Sequence, residues 1–240
     1  MIATGAILNS AGIVAGGIVG HYAGRFIKTE QQDAMEKACG VSVMFIAIAG
    51  AMEGMLELDG QKLTSGRSLL ITVCIALGTL IGEIMGIEAA FERFGEWLKQ
   101  KTGNSKDAGF VNAFVTASLT VSIGAMAIMG SIQDGILHDY STLAVKAVID
   151  FIIVAVMSSS MGRGCVFSAI PVFVFEGTMT LLAQMIAPIM TDTAISYLST
   201  VGSILIFGVG VNLVFGNRIR VANMLPAVIL AVIAAYMPAV

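Results

Sequence analysis

Eight apolar runs, each about long enough to cross a bilayer, leave this chain few folds to adopt. A helix needs roughly 20 apolar residues to traverse ~30 Å of hydrocarbon. Runs of that kind occupy residues 2–24, 40–58, 68–90, 109–132, 143–162, 165–189, 195–215 and 222–239. Lipid offers no hydrogen bonds, so each run must satisfy its own backbone, and a helix does this alone. The expectation is an all-α, polytopic transmembrane helix bundle of about eight spans, a single transmembrane domain over residues 1–240. Residues 143–189 admit a second reading, one span and a re-entrant piece, which lowers the count to seven. Composition closes off the soluble alternative. Only 12% of residues are charged and 57% are hydrophobic, whereas soluble domains carry about 25% charged residues.

The basic residues orient the spans, because Lys and Arg concentrate in cytoplasmic loops. With the N-terminus outside, Arg25, Lys28, Lys37, Arg93, Lys99, Lys101, Lys106, Arg163, Arg218 and Arg220 all fall on the cytoplasmic side. Lys62, Arg67 and Lys146 are left over. Eight spans place the C-terminus outside as well. The first run lacks the basic segment that opens a secretory signal, so it reads as a retained span. The connection 91–108 sets Phe91, Phe94, Trp97 and Leu98 on one helical face, the pattern of an amphipathic helix lying in the cytoplasmic interface. Residues 25–39 show a weaker form of it.

Glycine recurs every fourth residue in two runs, at Gly12, Gly16 and Gly20 and again at Gly78, Gly82 and Gly86. Such stripes let helix backbones approach closely. They serve either packing within the chain or assembly between chains, a homodimer included. The stretches GAMEGMLELDG (50–60) and GAMAIMGSIQDG (124–135) also rhyme, which predicts duplicated hairpins. GVGVNLVFGN (208–217) adds an echo in the opposite direction, the arrangement of inverted-repeat transporters.

Polar groups inside the runs are the candidate site. A charge at the bilayer centre costs about 2.5–3.5 kcal/mol on insertion scales and usually faces a protein interior or cavity. Lys146 and Asp150, four apart, share a helical face and can form an ion pair. That pair is either structural or opens to bind substrate or a proton. Glu83 stands alone in GTLIGEIMG, and Glu176 follows Pro171 by five residues. A proline kink there would free carbonyls beside the carboxylate. Ser158 and Ser159, ahead of Gly162 and Gly164, either line an unwound site or bond back to their own helix. Gln133 and Asp134 mark the end of the fourth run, and Asn112 and Asn212 lie within others. Pro226 in NMLPA suits a first helical turn.

The two histidines and three cysteines fit no zinc or CxxC spacing, so no metal or cofactor is expected. GxSxG, HExxH and a Cys–His couple are absent from the sequence, and an enzyme is not the expectation. Nucleic-acid binding is not expected either, with thirteen basic residues mostly in loops. The remaining functions are a transporter or channel for a small solute or ion, with the bilayer as its other partner, or a subunit assembling through its glycine faces. An intramembrane enzyme using Glu83 and Glu176 ranks below both.

Five stretches taken together, Leu80–Glu83, GSIQDG (130–135), KxxxDF (146–151), SAIPV (168–172) and NMLPA (223–227), resemble the YqgA/YdfK-type family of bacterial inner-membrane proteins, a domain family of unknown function. The resemblance covers essentially the whole chain. It implies a cytoplasmic-membrane location and, as an expectation, transport, and it carries no substrate or catalytic residue onto any position.

Overall fold

The computed structural model describes residues 3–59, 62–122 and 125–237. Eleven α-helices are described: α1 Thr4–Gly24, α2 Thr29–Met55, α3 Ser68–Met85, α4 Ile87–Lys101, α5 Phe110–Ser122, α6 Ala125–Leu137, α7 Ser141–Met161, α8 Ala169–Leu181, α9 Ala183–Ile186, α10 Asp192–Phe215 and α11 Pro226–Ala234. A short antiparallel hairpin, β1 Leu56–Asp59 with β2 Lys62–Ser65, joins α2 to α3. The molecule is an all-α polytopic bundle with this one hairpin at its edge. Large apolar side chains such as Phe45, Leu69, Ile84, Val148 and Val174 stand exposed on the outer helices, as lipid-facing surfaces require. The core gathers around α10, where Val201, Leu205 and Val209 are buried.

Among the described residues six helices are long and apolar enough to cross a membrane, or seven when the bent pair α5–α6 counts as one. The expected spans shift in four places. The second begins at Thr29 rather than residue 40, so residues 29–39 continue the helix of the second span instead of forming a separate one, and it ends at Met55 where the hairpin begins. The third ends at Met85, because Gly86 adopts φ 62° and turns the chain into α4. The fourth is broken: the axes of its two halves diverge by 62°. The last apolar segment, Val221–Ala234, is shorter than a full span. Residues 143–189 do hold two candidate spans, Ser141–Met161 and Arg163–Leu181. Gly162, at φ 99°, breaks them apart, and a 3₁₀ turn over Arg163–Ser168 leads into α8.

Glycine sets the packing. A Cβ on Gly12, Gly16, Gly20 or Gly24 would collide in turn with the backbone of Ala147, Phe151, Ala155 and Ser159. The two sets rise together, so α1 and α7 are parallel and in direct backbone contact. Gly40 meets Leu213 and Gly54 meets Thr200, so α2 and α10 are antiparallel. Gly78 meets Ala227 and Gly82 meets Asn223, which makes α3 antiparallel to α11. Both glycine stripes are therefore filled within the chain, the first by a parallel partner and the second by an antiparallel one. Gly86 belongs to neither and has no atom within contact distance. Part of the 50–60 and 124–135 rhyme lies outside the described residues.

Helix direction also settles the broken segment. With α2 and α3 each crossing, α7 runs parallel to α1 only if α5–α6 carries the chain across once. A bend of 62° agrees, since a re-entrant loop would reverse the chain. The amphipathic connection is α4, outside the spans. Its Leu98 packs with Phe110 and Phe114 of α5, and Phe94 stacks on Trp97 with ring centroids 5.7 Å apart.

Candidate functional site: a buried charge cluster at a broken span

The last four carbonyls of a helix have no partner within it and carry the negative end of its dipole. Where α5 stops inside the bundle, that end needs a donor. Lys146 supplies it: its Nζ donates to the Val121 carbonyl at 2.7 Å. The same ammonium is paired with Asp150, one turn along α7, and lies 3.7 Å from Glu176 Oε1 on α8. Asn9 of α1 donates through Nδ2 to that same Oε1 at 2.8 Å. Four elements thus converge on one polar knot. Lys146, Asp150, Glu176 and Asn9 are respectively 6%, 4%, 0% and 0% exposed.

Two carboxyl groups face one ammonium. The cluster is neutral when one carboxyl holds a proton or a cation joins it, and an uncompensated charge there would be costly. The hydrogen bonds are incomplete. Glu176 Oε2, Asn9 Oδ1 and Thr180 Oγ1 are buried and find no partner among the described residues, and Thr180 follows Glu176 by one turn on α8. Buried polar atoms are rarely left unpaired. A proton, or a small cation with oxygen ligands, would complete both counts.

The other expected residues lie elsewhere. Glu83 does not join the cluster. It sits in the last turn of α3, half-buried, and pairs with exposed Arg220 at 3.0 Å. Asp134 is buried on α6, and its Oδ2 accepts from the Gly5 backbone N–H at 2.9 Å, capping the first turn of α1. Gln133 Oε1 accepts from the Thr142 hydroxyl at 2.6 Å. Ser158 donates across the seam to the Gly17 carbonyl at 2.8 Å, and Ser159 donates back to Val156 at 2.7 Å, so these hydroxyls serve packing. The kink expected from Pro171 is absent: α8 runs from Ala169 through Glu176 to Leu181. Pro171 stands in its first turn, where a missing N–H leaves no gap.

A family model described as "Protein of unknown function (DUF554)" matches residues 4–236. The chain belongs to this family. It is similar to "Uncharacterized membrane protein YdfK" of Bacillus subtilis (strain 168), 27% identical over 226 residues, covering 94% of this chain and 93% of the relative. It is also similar to "Uncharacterized protein YqgA" of Escherichia coli (strain K12), 23% identical over 231 residues, covering 95% and 94%. No solved structure matches it significantly.

Two cavities flank the broken span of this DUF554 chain. One, of about 260 Å³, is lined among others by Glu88, Glu92, Asn112, Thr116 and Asn217. The other, of about 550 Å³, is lined among others by Glu53, Asp192, Ser196, Ser199 and Thr200. Neither lining includes Lys146, Asp150 or Glu176. Glu88 lies on α4, outside the spans. Burial pushes its carboxyl above the usual carboxylate range; Glu92 and Glu83 add to this, while a backbone hydrogen bond at Ala222 and the charge of Arg220 oppose it. Its backbone N–H donates to Asn223 Oδ1 at 2.7 Å, so the Asn of NMLPA caps the start of α4.

The sequence reading missed Asn9, the Val121 carbonyl and Thr180. Asn9 carried a usable signal, as an amide well inside the first apolar run. Val121 carried none, because a backbone carbonyl is exposed only by the break.

Proposed function

We propose that this chain is a secondary transporter for a small solute or ion rather than an enzyme. The Lys146–Asp150–Glu176–Asn9 cluster is its coupling site, taking up a proton or small cation. The observation that carries the reading is the pair of carboxyl groups facing one ammonium, with an incomplete hydrogen-bond count, at the end of a half-helix. Discontinuous helices whose ends meet charged groups near the membrane midplane are how many transporters build ion and substrate sites. Ionisable residues kept within spans are expensive and usually mark such pathways. The location that fits is a bacterial cytoplasmic membrane, with the N-terminus outside, where the basic loops fall on the cytoplasmic side; the expected outside C-terminus would need the short last segment, Val221–Ala234, to cross as well.

Purified protein in proteoliposomes, screened for uptake of labelled solutes and ions, tests this. Asp150→Asn and Glu176→Gln are each expected to lower flux at least tenfold while helix content and elution in detergent stay as in the unsubstituted protein. Flux unchanged in both variants, or absent across the screen for the unsubstituted protein, contradicts the reading.

A further inference from the structure

The two cavities sit at opposite ends of α10. The larger one touches its first turns, from Asp192 to Thr200, and the smaller one its last turns, from Val209 to Asn212. Nine residues separate Thr200 from Val209, about 13 Å of helix axis, against ~30 Å of hydrocarbon. That stretch of α10 is shorter than the hydrocarbon is thick. Each cavity also touches a different half of the broken span: the smaller one follows α5 from Val111 to Leu119, and the larger one meets Met126 and Met129 of α6. Between them stand Val201 and Leu205, both fully buried, and the α5 terminus that Lys146 holds through Val121.

The cavities share a charge. Glu88 and Glu92 line one, Glu53 and Asp192 the other, and among the described residues neither lining holds a lysine or arginine. Two cations lie beside the walls and offset part of this charge: Arg67 donates to the Gly54 carbonyl and the Ser196 hydroxyl of the larger lining, and the charge of Arg220 reaches Glu88 of the smaller. Arg220 is paired with Glu83, and Arg67 lies over the Tyr197 ring. Among the described residues none of the four carboxylates is in an ion pair. Carboxylates in low-dielectric clefts concentrate cations and repel anions. The oxygen ligands beside them, from Ser199 and Thr200 on one side and Thr116 and Asn112 on the other, suit a small cation as well.

We infer that the two cavities are opposite-facing aqueous vestibules of one path along α10 past the α5–α6 break, and that the species carried is a small cation. This inference rests on the transport reading and names its substrate class. At the midpoint a passing cation meets the negative end of α5, the group that Lys146 neutralises when the path is empty.

Single cysteines at Ser199 and Ile195 for the larger cavity, and at Val111 and Val115 for the smaller, test the inference. Each is exposed to membrane-impermeant methanethiosulfonates of either charge, in right-side-out and inverted vesicles, with the unsubstituted protein as background for Cys39, Cys74 and Cys165. The larger-cavity positions are expected to react from one face and the smaller-cavity positions from the other. The cationic reagent should lead by on the order of tenfold. Glu53→Gln with Asp192→Asn should remove that lead in the larger cavity only. Reaction of both sets from one face, equal rates for the two reagents, or no reaction above background at either position of a cavity in protein that elutes normally overturns the inference. Labelling does not depend on flux, so a chain that transports but fails here loses only the path and the cation. A chain that passes here but carries nothing loses the transport reading.

Discussion

Lys146 makes three contacts at once: a carbonyl at the end of a half-helix, a carboxylate one turn away and a second carboxylate on a neighbouring helix. Removing one partner of a buried ionic set leaves uncompensated charge and costs about 3–5 kcal/mol. Lys146→Met is expected to destabilise the protein by that much in chemical unfolding from mixed micelles. Adding Asp150→Asn and Glu176→Gln to it should restore more than half of the loss, because the charges it stranded are gone. A Lys146→Met variant as stable as the unsubstituted protein would show that the three groups do not interact. The Lys146–Asp150 pair was legible in the sequence because four-residue spacing on a helix is a local fact. Glu176 was legible only as a polar residue in an apolar run; which neighbours it meets depends on how α1, α7 and α8 pack. Glu83 was misplaced for a specific reason. Apolar content continues to residue 90, which puts Glu83 mid-span, but Gly86 ends the helix and leaves Glu83 in its last turn, beside solvent and Arg220. An exposed pair of that kind is worth about 0–1 kcal/mol.

At the scale of elements, spacing of glycine predicts where backbones touch, but not which ones. The stripe at Gly12, Gly16 and Gly20 is the α1–α7 seam, and Gly24 extends it by a turn. Gly20→Leu would force a side chain into the Ala155 carbonyl, a backbone atom that cannot step aside. Overpacking of this kind typically costs 1–3 kcal/mol, occasionally more, and the variant is expected to melt several degrees lower in detergent. Gly177→Ala is the control: it lies in the middle of α8 with no atom near the place a Cβ would take, and its melting temperature should hold or rise. Equal effects of the two substitutions would contradict the seam. The breaks were the least legible elements. The α5–α6 break falls inside a run that reads as continuous by composition, and the end of α2 at Met55 is masked by the apolar residues of the hairpin that follows.

At the scale of the molecule, composition alone established a membrane-spanning helix bundle, because so few charges cannot cover a water-facing surface of this size. The helix pairing required the structure. It is the parallel α1–α7 seam that makes the broken segment a crossing, and that crossing brings a helix terminus to the charge cluster. With two carboxyls facing one ammonium, the cluster is expected to bind a proton or a small cation. Infrared difference spectroscopy on the reconstituted protein reads this directly, comparing carboxyl bands before and after a step in proton or cation concentration. A carboxyl band is expected to change in the unsubstituted protein and in Glu83→Gln, and to be lost in Glu176→Gln or Asp150→Asn. A spectrum indifferent to both steps, or a band that persists in both of the latter variants, would contradict it.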